Sequence, residues 1–155
     1  MVARKKSTFD NKFKSITVSD NRTANIRTER RVKDEQIKLS LNFKDFDFKQ
    51  CPPGQTLETW QEDKILDKLV KKFIDVCACS RIEALQKGLL KVYDAFPVNS
   101  QFKIPNHIQG DVEWGTIQRI GGQKPRLAGY IIGSTFYPVF LDKEHLFFPS
   151  PKKHT

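Results

Sequence analysis

The chain has 155 residues, enough for one domain around a core of about 100, and carries 27 Lys and Arg against 18 Asp and Glu, a formal net charge of +9. No stretch approaches the roughly 18 consecutive apolar residues of a membrane span, and no apolar segment of a secretory signal follows the basic start MVARKKSTFD, so a cytoplasmic protein is expected. The charge balance favours a polyanionic partner, nucleic acid first, because charge governs association rather than fold.

Residues 1–36 hold ten Lys and Arg and five Asp and Glu, with few large apolar groups (Phe9, Phe13, Ile16, Val18, Ile26). This composition reads as a basic arm, weakly ordered alone. Such an arm either folds against RNA, DNA or a protein, or serves as a solubilising tail. In residues 37–43, IKLSLNF, Ile37, Leu39, Leu41 and Phe43 alternate with Lys38, Ser40 and Asn42, which predicts a strand with one buried side. Cys51-Pro52-Pro53-Gly54 then breaks the chain.

A first helix is expected over residues 57–77. Thr56 is its N-cap, Glu58, Glu62 and Asp63 lie near its start, and Leu66, Leu69, Val70, Phe73, Ile74 and Cys77 form one apolar stripe. Lys64, Lys68, Lys71 and Lys72 fall largely off that stripe and read as a solvated face. Ser80-Arg81-Ile82-Glu83 has the spacing of a capping box. It opens a second helix with Ile82, Leu85, Leu89, Val92, Tyr93 and Phe96 on one side, stopped by Pro97. The short connection predicts a two-helix hairpin.

A β-meander follows. Val112, Trp114, Thr116, Gln118 and Ile120 alternate with Glu113, Gly115, Ile117 and Arg119. After the turn Gly121-Gly122-Gln123-Lys124-Pro125, Leu127, Gly129 and Ile131 alternate with Arg126, Ala128, Tyr130 and Ile132. A third strand spans residues 136–141 and reads as central, although Pro138 cannot donate to a ladder. The pattern offers a short last strand over residues 145–148. The fold class is therefore α+β, one domain over residues 37–150, with a basic tail over residues 151–155. The cysteines (Cys51, Cys77, Cys79) contain neither C-x-x-C nor a Cys/His cluster, so no zinc site or other cofactor is expected. Their odd number and the buried character of Cys77 fit a reducing compartment.

In element order, and in the passage from VEWGTIQRI through a basic turn to Arg126-Leu-Ala-Gly-Tyr, residues 37–148 resemble the RelE/YoeB/ParE superfamily of bacterial toxins. The resemblance implies an endoribonuclease that cleaves mRNA without metal, often on the ribosome, and is held in check by an inhibitor protein. The RNA's own 2′-hydroxyl acts as nucleophile. Such chemistry needs a proton acceptor, donors for charge on the phosphate, and an acid for the leaving 5′-oxygen. By this resemblance Arg126 is the arginine that begins the second meander strand, with Arg119 on the preceding strand and Lys124 between them. His145 falls where some members place an acid. Phe147 and Phe148 stand where a proton-transferring tyrosine is expected, so Tyr130 or Tyr137 must substitute, and Glu113 and Glu144 are base candidates by position.

Arginine suits a phosphate because its rigid fork donates two hydrogen bonds at once. Arg119, Lys124, Arg126 and Trp114 are accordingly the candidate RNA contacts, and Arg126, Arg119, His145, Lys124 and Tyr130 the candidate catalytic groups. Plainer readings stand beside these. The arginines can be surface charges paired with Asp111 or Glu113, His145 a structural imidazole, and Trp114 a core anchor. Two alternatives follow for the chain as a whole: a nucleic-acid-binding module without turnover, and a phage or mobile-element interaction protein whose arm clamps a partner.

Overall fold

A computed structural model describes residues 37–109 and 111–151. The basic arm and residues 152–155 of the basic tail lie outside the described residues. Three short helices and a five-stranded sheet make the described chain α+β. The sheet order is β1-β5-β4-β3-β2, and β1 runs parallel to β5 while every other pair is antiparallel. The sheet is thus mixed, not the antiparallel meander expected.

The first strand, β1 (Ser40–Leu41), is much shorter than the alternating pattern of residues 37–43. Leu39 is buried, but Ile37 and Phe43 are 48% and 46% exposed, so the apolar face has a partner only in its middle. Beyond β1 the chain still follows the outer edge of the last strand: Asp47 N donates to Val139 O at 2.9 Å and Gln55 N to Leu141 O at 3.3 Å.

The expected helix over residues 57–77 is two helices, α1 (Leu57–Glu62) and α2 (Leu66–Cys77). Thr56 caps α1 as expected, its hydroxyl accepting from Thr59 N at 3.2 Å. The break falls at Lys64, which has φ +58°. It has a packing reason. Residues five apart on a continuous helix point about 140° apart, yet Trp60 and Ile65 are both buried in one core. The left-handed residue between them lets both side chains face inward.

The capping box is present at α3 (Arg81–Gln86): Ser80 Oγ accepts from Glu83 N at 3.2 Å, and the Glu83 carboxylate accepts from Ser80 N at 2.7 Å. The helix then ends at Gln86, eleven residues before Pro97. Gly88 takes φ +67°, a conformation glycine adopts without steric cost, and the chain enters β2 (Leu90–Tyr93). The two-helix hairpin is therefore three short helices followed by a strand. Cys77 is only partly buried; Cys79, just past α2, is the buried cysteine.

Strands β3 (Glu113–Ile117), β4 (Arg126–Ile132) and β5 (Thr135–Asp142) complete the sheet. Arg119, with φ +53°, ends the alternation of β3, so Ile120 joins Ile117 on the helix-covered side rather than following Trp114. Pro138 is accommodated by a bulge: Ala128 pairs with Phe140 but Gly129 with Pro138, leaving Val139 extra on β5. At Gly129 a Cβ would lie 2.1 Å from Tyr137 O, so this crossing admits glycine only. Residues 145–148, a possible fourth meander strand, form a loop instead.

The sheet separates two cores. One side, under the helices, is largely aliphatic: Leu69, Val76, Ile117, Leu127, Ile131 and Leu141 around Trp60 and Phe136. The other, under loops from both sides of β3 and β5, is aromatic: Phe102, Trp114, Tyr130, Phe140 and Phe147.

Candidate functional site

The loop-covered side is apolar along most of its length and polar at one end. The register explains why. Lys91, Thr116, Ala128 and Phe140 form one transverse row, and Arg126 pairs with Asp142 in the next. Continuing the β3–β4 register by one residue sets Gln118 opposite Arg126. All of these side chains leave the sheet on the side away from the helices, because their neighbours Leu90, Ile117, Leu127 and Leu141 belong to the aliphatic core.

Arg126 is half-buried at this end. Its Nη2 donates to Gln123 O at 3.4 Å, whereas Nε and Nη1 are closed off from solvent and have no partner among the described residues. Burial lowers its pKa from the ordinary arginine value, the nearby charge of Arg119 pushes the same way, and Tyr93 and Asp142 oppose both. An arginine with orphaned donors in a partly dry setting is costly to keep unless something accepts from it.

Asp142, across the strand pair, is fully buried. Its two oxygens accept from Leu146 N at 2.8 Å and Phe147 N at 2.9 Å. Burial raises its pKa, more than those backbone N–H groups and Arg126 lower it. Its task is to anchor the loop that carries His145. That loop turns at His145 itself, at φ +62°. Burial holds the imidazole below the usual histidine value, and the positive charges of Arg126 and Lys91 lower it further. His145 is thus held toward its neutral form, the form that accepts a proton.

Lys91 and an aromatic pair close the site. Tyr93 and Phe148 stack with ring centroids 4.6 Å apart and planes 3° from parallel, and Lys91 Nζ lies 5.5 Å from the Tyr93 centroid and 5.8 Å from that of Phe148. Both Lys91 and Tyr93 come from β2, the strand expected to be helix. A period-two signal was there to find them: Leu90 and Val92 point one way, Lys91 and Tyr93 the other.

Of the sequence-expected residues, Arg126, Arg119 and His145 therefore come together. Lys124 stands at the exposed rim, 3.8 Å from Glu144 in an ion pair. Glu113 is elsewhere, bonded to Arg81 at 2.6 Å. Trp114 is fully buried against Phe96, Tyr130 and Phe147, so it cannot stack on a base without opening the core. Tyr130 is buried too and is four residues along β4 from Arg126, roughly 13 Å at the rise of a strand. Its hydroxyl bonds Asp45, and burial and that carboxylate raise its pKa. It cannot serve as the acid at Arg126.

No group of three or more His, Cys, Asp or Glu side chains converges as a metal site, and no helix is long and apolar enough to cross a membrane, among the described residues. The geometry offers donors for an oxyanion, a proton acceptor, an ammonium group and an aromatic ledge. Comparison with known proteins finds no match to a family model, a curated protein or a solved structure.

Proposed function

We propose that this end of the sheet binds an RNA phosphodiester and cleaves it by attack of the adjacent 2′-hydroxyl, the chemistry implied by the resemblance to RelE-type toxins. One observation carries the reading: the half-buried Arg126 guanidinium, with Nε and Nη1 unpartnered among the described residues, in a cluster with Arg119, Lys91 and His145. Arg126 donates to the non-bridging oxygens, where negative charge grows as the phosphorus becomes five-coordinate. Neutral His145 accepts the 2′-hydroxyl proton. The 2′-oxygen–phosphorus bond forms, the bond to the 5′-oxygen breaks, and the Lys91 ammonium supplies the proton that oxygen needs. The products are a 2′,3′-cyclic phosphate and a free 5′-hydroxyl. Arg119 and Lys124 add positive field at the rim.

The test is cleavage of end-labelled RNA in EDTA, with and without ribosomes, comparing the natural chain with Arg126→Met and His145→Ala. Cleavage with cyclic-phosphate ends that both substitutions abolish supports the assignment. Cleavage that survives the double substitution overturns it. A second reading, phosphate binding without turnover, is favoured by one feature: Asp142, the carboxylate paired across the sheet from Arg126, is committed to backbone N–H groups and cannot act as a base. Salt-dependent RNA binding with no cleavage under either condition selects that reading.

A further inference from the structure

A groove of about 860 Å³ lies between the segment beside β5 and the loop before β3, lined by Lys44, Lys49, Lys103, His107, Phe46 and Phe48 among others. The three lysines are exposed and make no ion pair with any described carboxylate. The acids nearby are turned to internal bonds. Asp47 accepts from Lys49 N at 2.7 Å and Gln50 Nε2 at 3.1 Å, and Asp45 faces Tyr130 and, at 3.4 Å, His107. Phe48 is 53% exposed and rests on Phe46 with centroids 4.7 Å apart. Pro52, Pro53 and Gln101 continue from this groove into a smaller depression bounded by Glu144 and Leu146, the residues that flank His145. The two depressions together therefore lead from the lysine groove to the loop that carries His145.

We propose that the groove holds single-stranded RNA extending from the phosphate at Arg126, with a base stacked on Phe48 and the backbone following Lys44, Lys49 and Lys103. Lys44, whose Nζ lies 5.2 Å from the centroid of the Tyr137 ring, flanks an exposed aromatic ring together with Lys49 and Lys103, all free of ion pairs among the described residues and outside the apolar cores. This matches what a single strand presents: a charged backbone and a stackable face at every base. A duplex offers no such face. The proposal rests on reading Arg126 as the phosphate site, and its test separates the two.

Binding of 2′-O-methyl RNA, which cannot be cleaved, is measured by fluorescence anisotropy for a trinucleotide and a decamer over a range of salt. The decamer has the steeper salt dependence. The combined Lys44→Ala, Lys49→Ala, Lys103→Ala variant loses about 2 from that slope, roughly 0.7 per phosphate contact, with trinucleotide binding unchanged. Phe48→Ala weakens the decamer about tenfold. All four side chains are exposed, so the fold is preserved. Equal slopes for the two lengths, or an unaltered slope in the lysine variant, overturn the groove whatever Arg126 does. Decamer binding that depends on the lysines but not on Arg126→Met upholds the groove and removes the Arg126 reading. Displacement of the decamer by polyglutamate as readily as by polyuridylate overturns the choice of RNA.

Discussion

The two sides of the sheet share strands but are built to different rules. Under the helices, side chains are largely aliphatic and neighbouring polar groups are satisfied, as in the Ser80–Glu83 box. Under the loops the core is aromatic, and three polar atoms, Trp114 Nε1, Arg126 Nε and Arg126 Nη1, are buried without a partner among the described residues. Orphaned donors cost stability, and a fold retains them where they serve something other than stability. The contrast singles out the Arg126 end as the candidate site more sharply than net charge does, since lysines and arginines are spread over the described surface.

The largest effect that breaks this contrast is on turnover. His145→Ala lowers the cleavage rate by about 10²–10⁴, and Arg126→Met by about 10²–10³, read as initial rates. Arg126→Met also leaves the melting temperature unchanged or higher, because it removes an unpartnered buried guanidinium; a fall of several degrees contradicts the division of labour. On the helix side the signs reverse. Phe136→Ala costs about 3–5 kcal/mol in urea unfolding, while RNA binding under native conditions persists.

Asp142→Ala lies between the two regimes. It strands the Leu146 and Phe147 N–H groups and costs on the order of 3 kcal/mol. It lowers activity as well, because the loop carrying His145 loses its anchor, and hydrogen exchange at those two amides reads the loss directly. The smallest effect is electrostatic. With its pKa below the ordinary histidine value of 6.5, His145 gains its base form at lower pH, so the rate rises on the acid side and is level by neutrality. Its stability contribution has the same sign: present above the unfolded value, lost as pH falls from there through the folded one. Lys91→Met removes one of the charges holding the proton off, and the acid limb moves to higher pH. An NMR titration of the imidazole gives the shift, and no movement detaches Lys91 from the site.

Much of this was legible along the chain, element by element. β4 begins and ends where its pattern says, because apolar alternation and a glycine-rich turn agree there. The helix caps at Thr56 and Ser80 are local side-chain chemistry and were equally readable. The break at Lys64 carried no glycine or proline; it exists because Trp60 and Ile65 share a core, which is tertiary information. Gly88 was a visible stop signal, masked by residues whose spacing also fits a helix. That single misreading hid Lys91 and Tyr93. For the candidate site, Arg126, Arg119 and His145 were proposed through the resemblance, while for Trp114 and Tyr130 the burial favours the plainer core reading, which residue type alone could not select.

The pairing of β1 with β5 also bears on when the molecule comes into being. Ser40 and Thr135 meet across 95 residues of chain. Ribosomes release sequence from the amino end, so a nascent chain that has reached Gly133 lacks the strand beside which residues 40–55 must lie, and lacks His145 entirely. Long-range closure of this kind slows folding and makes it late. Lys91 and Arg126 emerge earlier, but their partner arrives only once β5 has docked. The order of synthesis thus acts as a timer: the end of the sheet that carries Arg126 is assembled only after the loop bearing His145 has emerged.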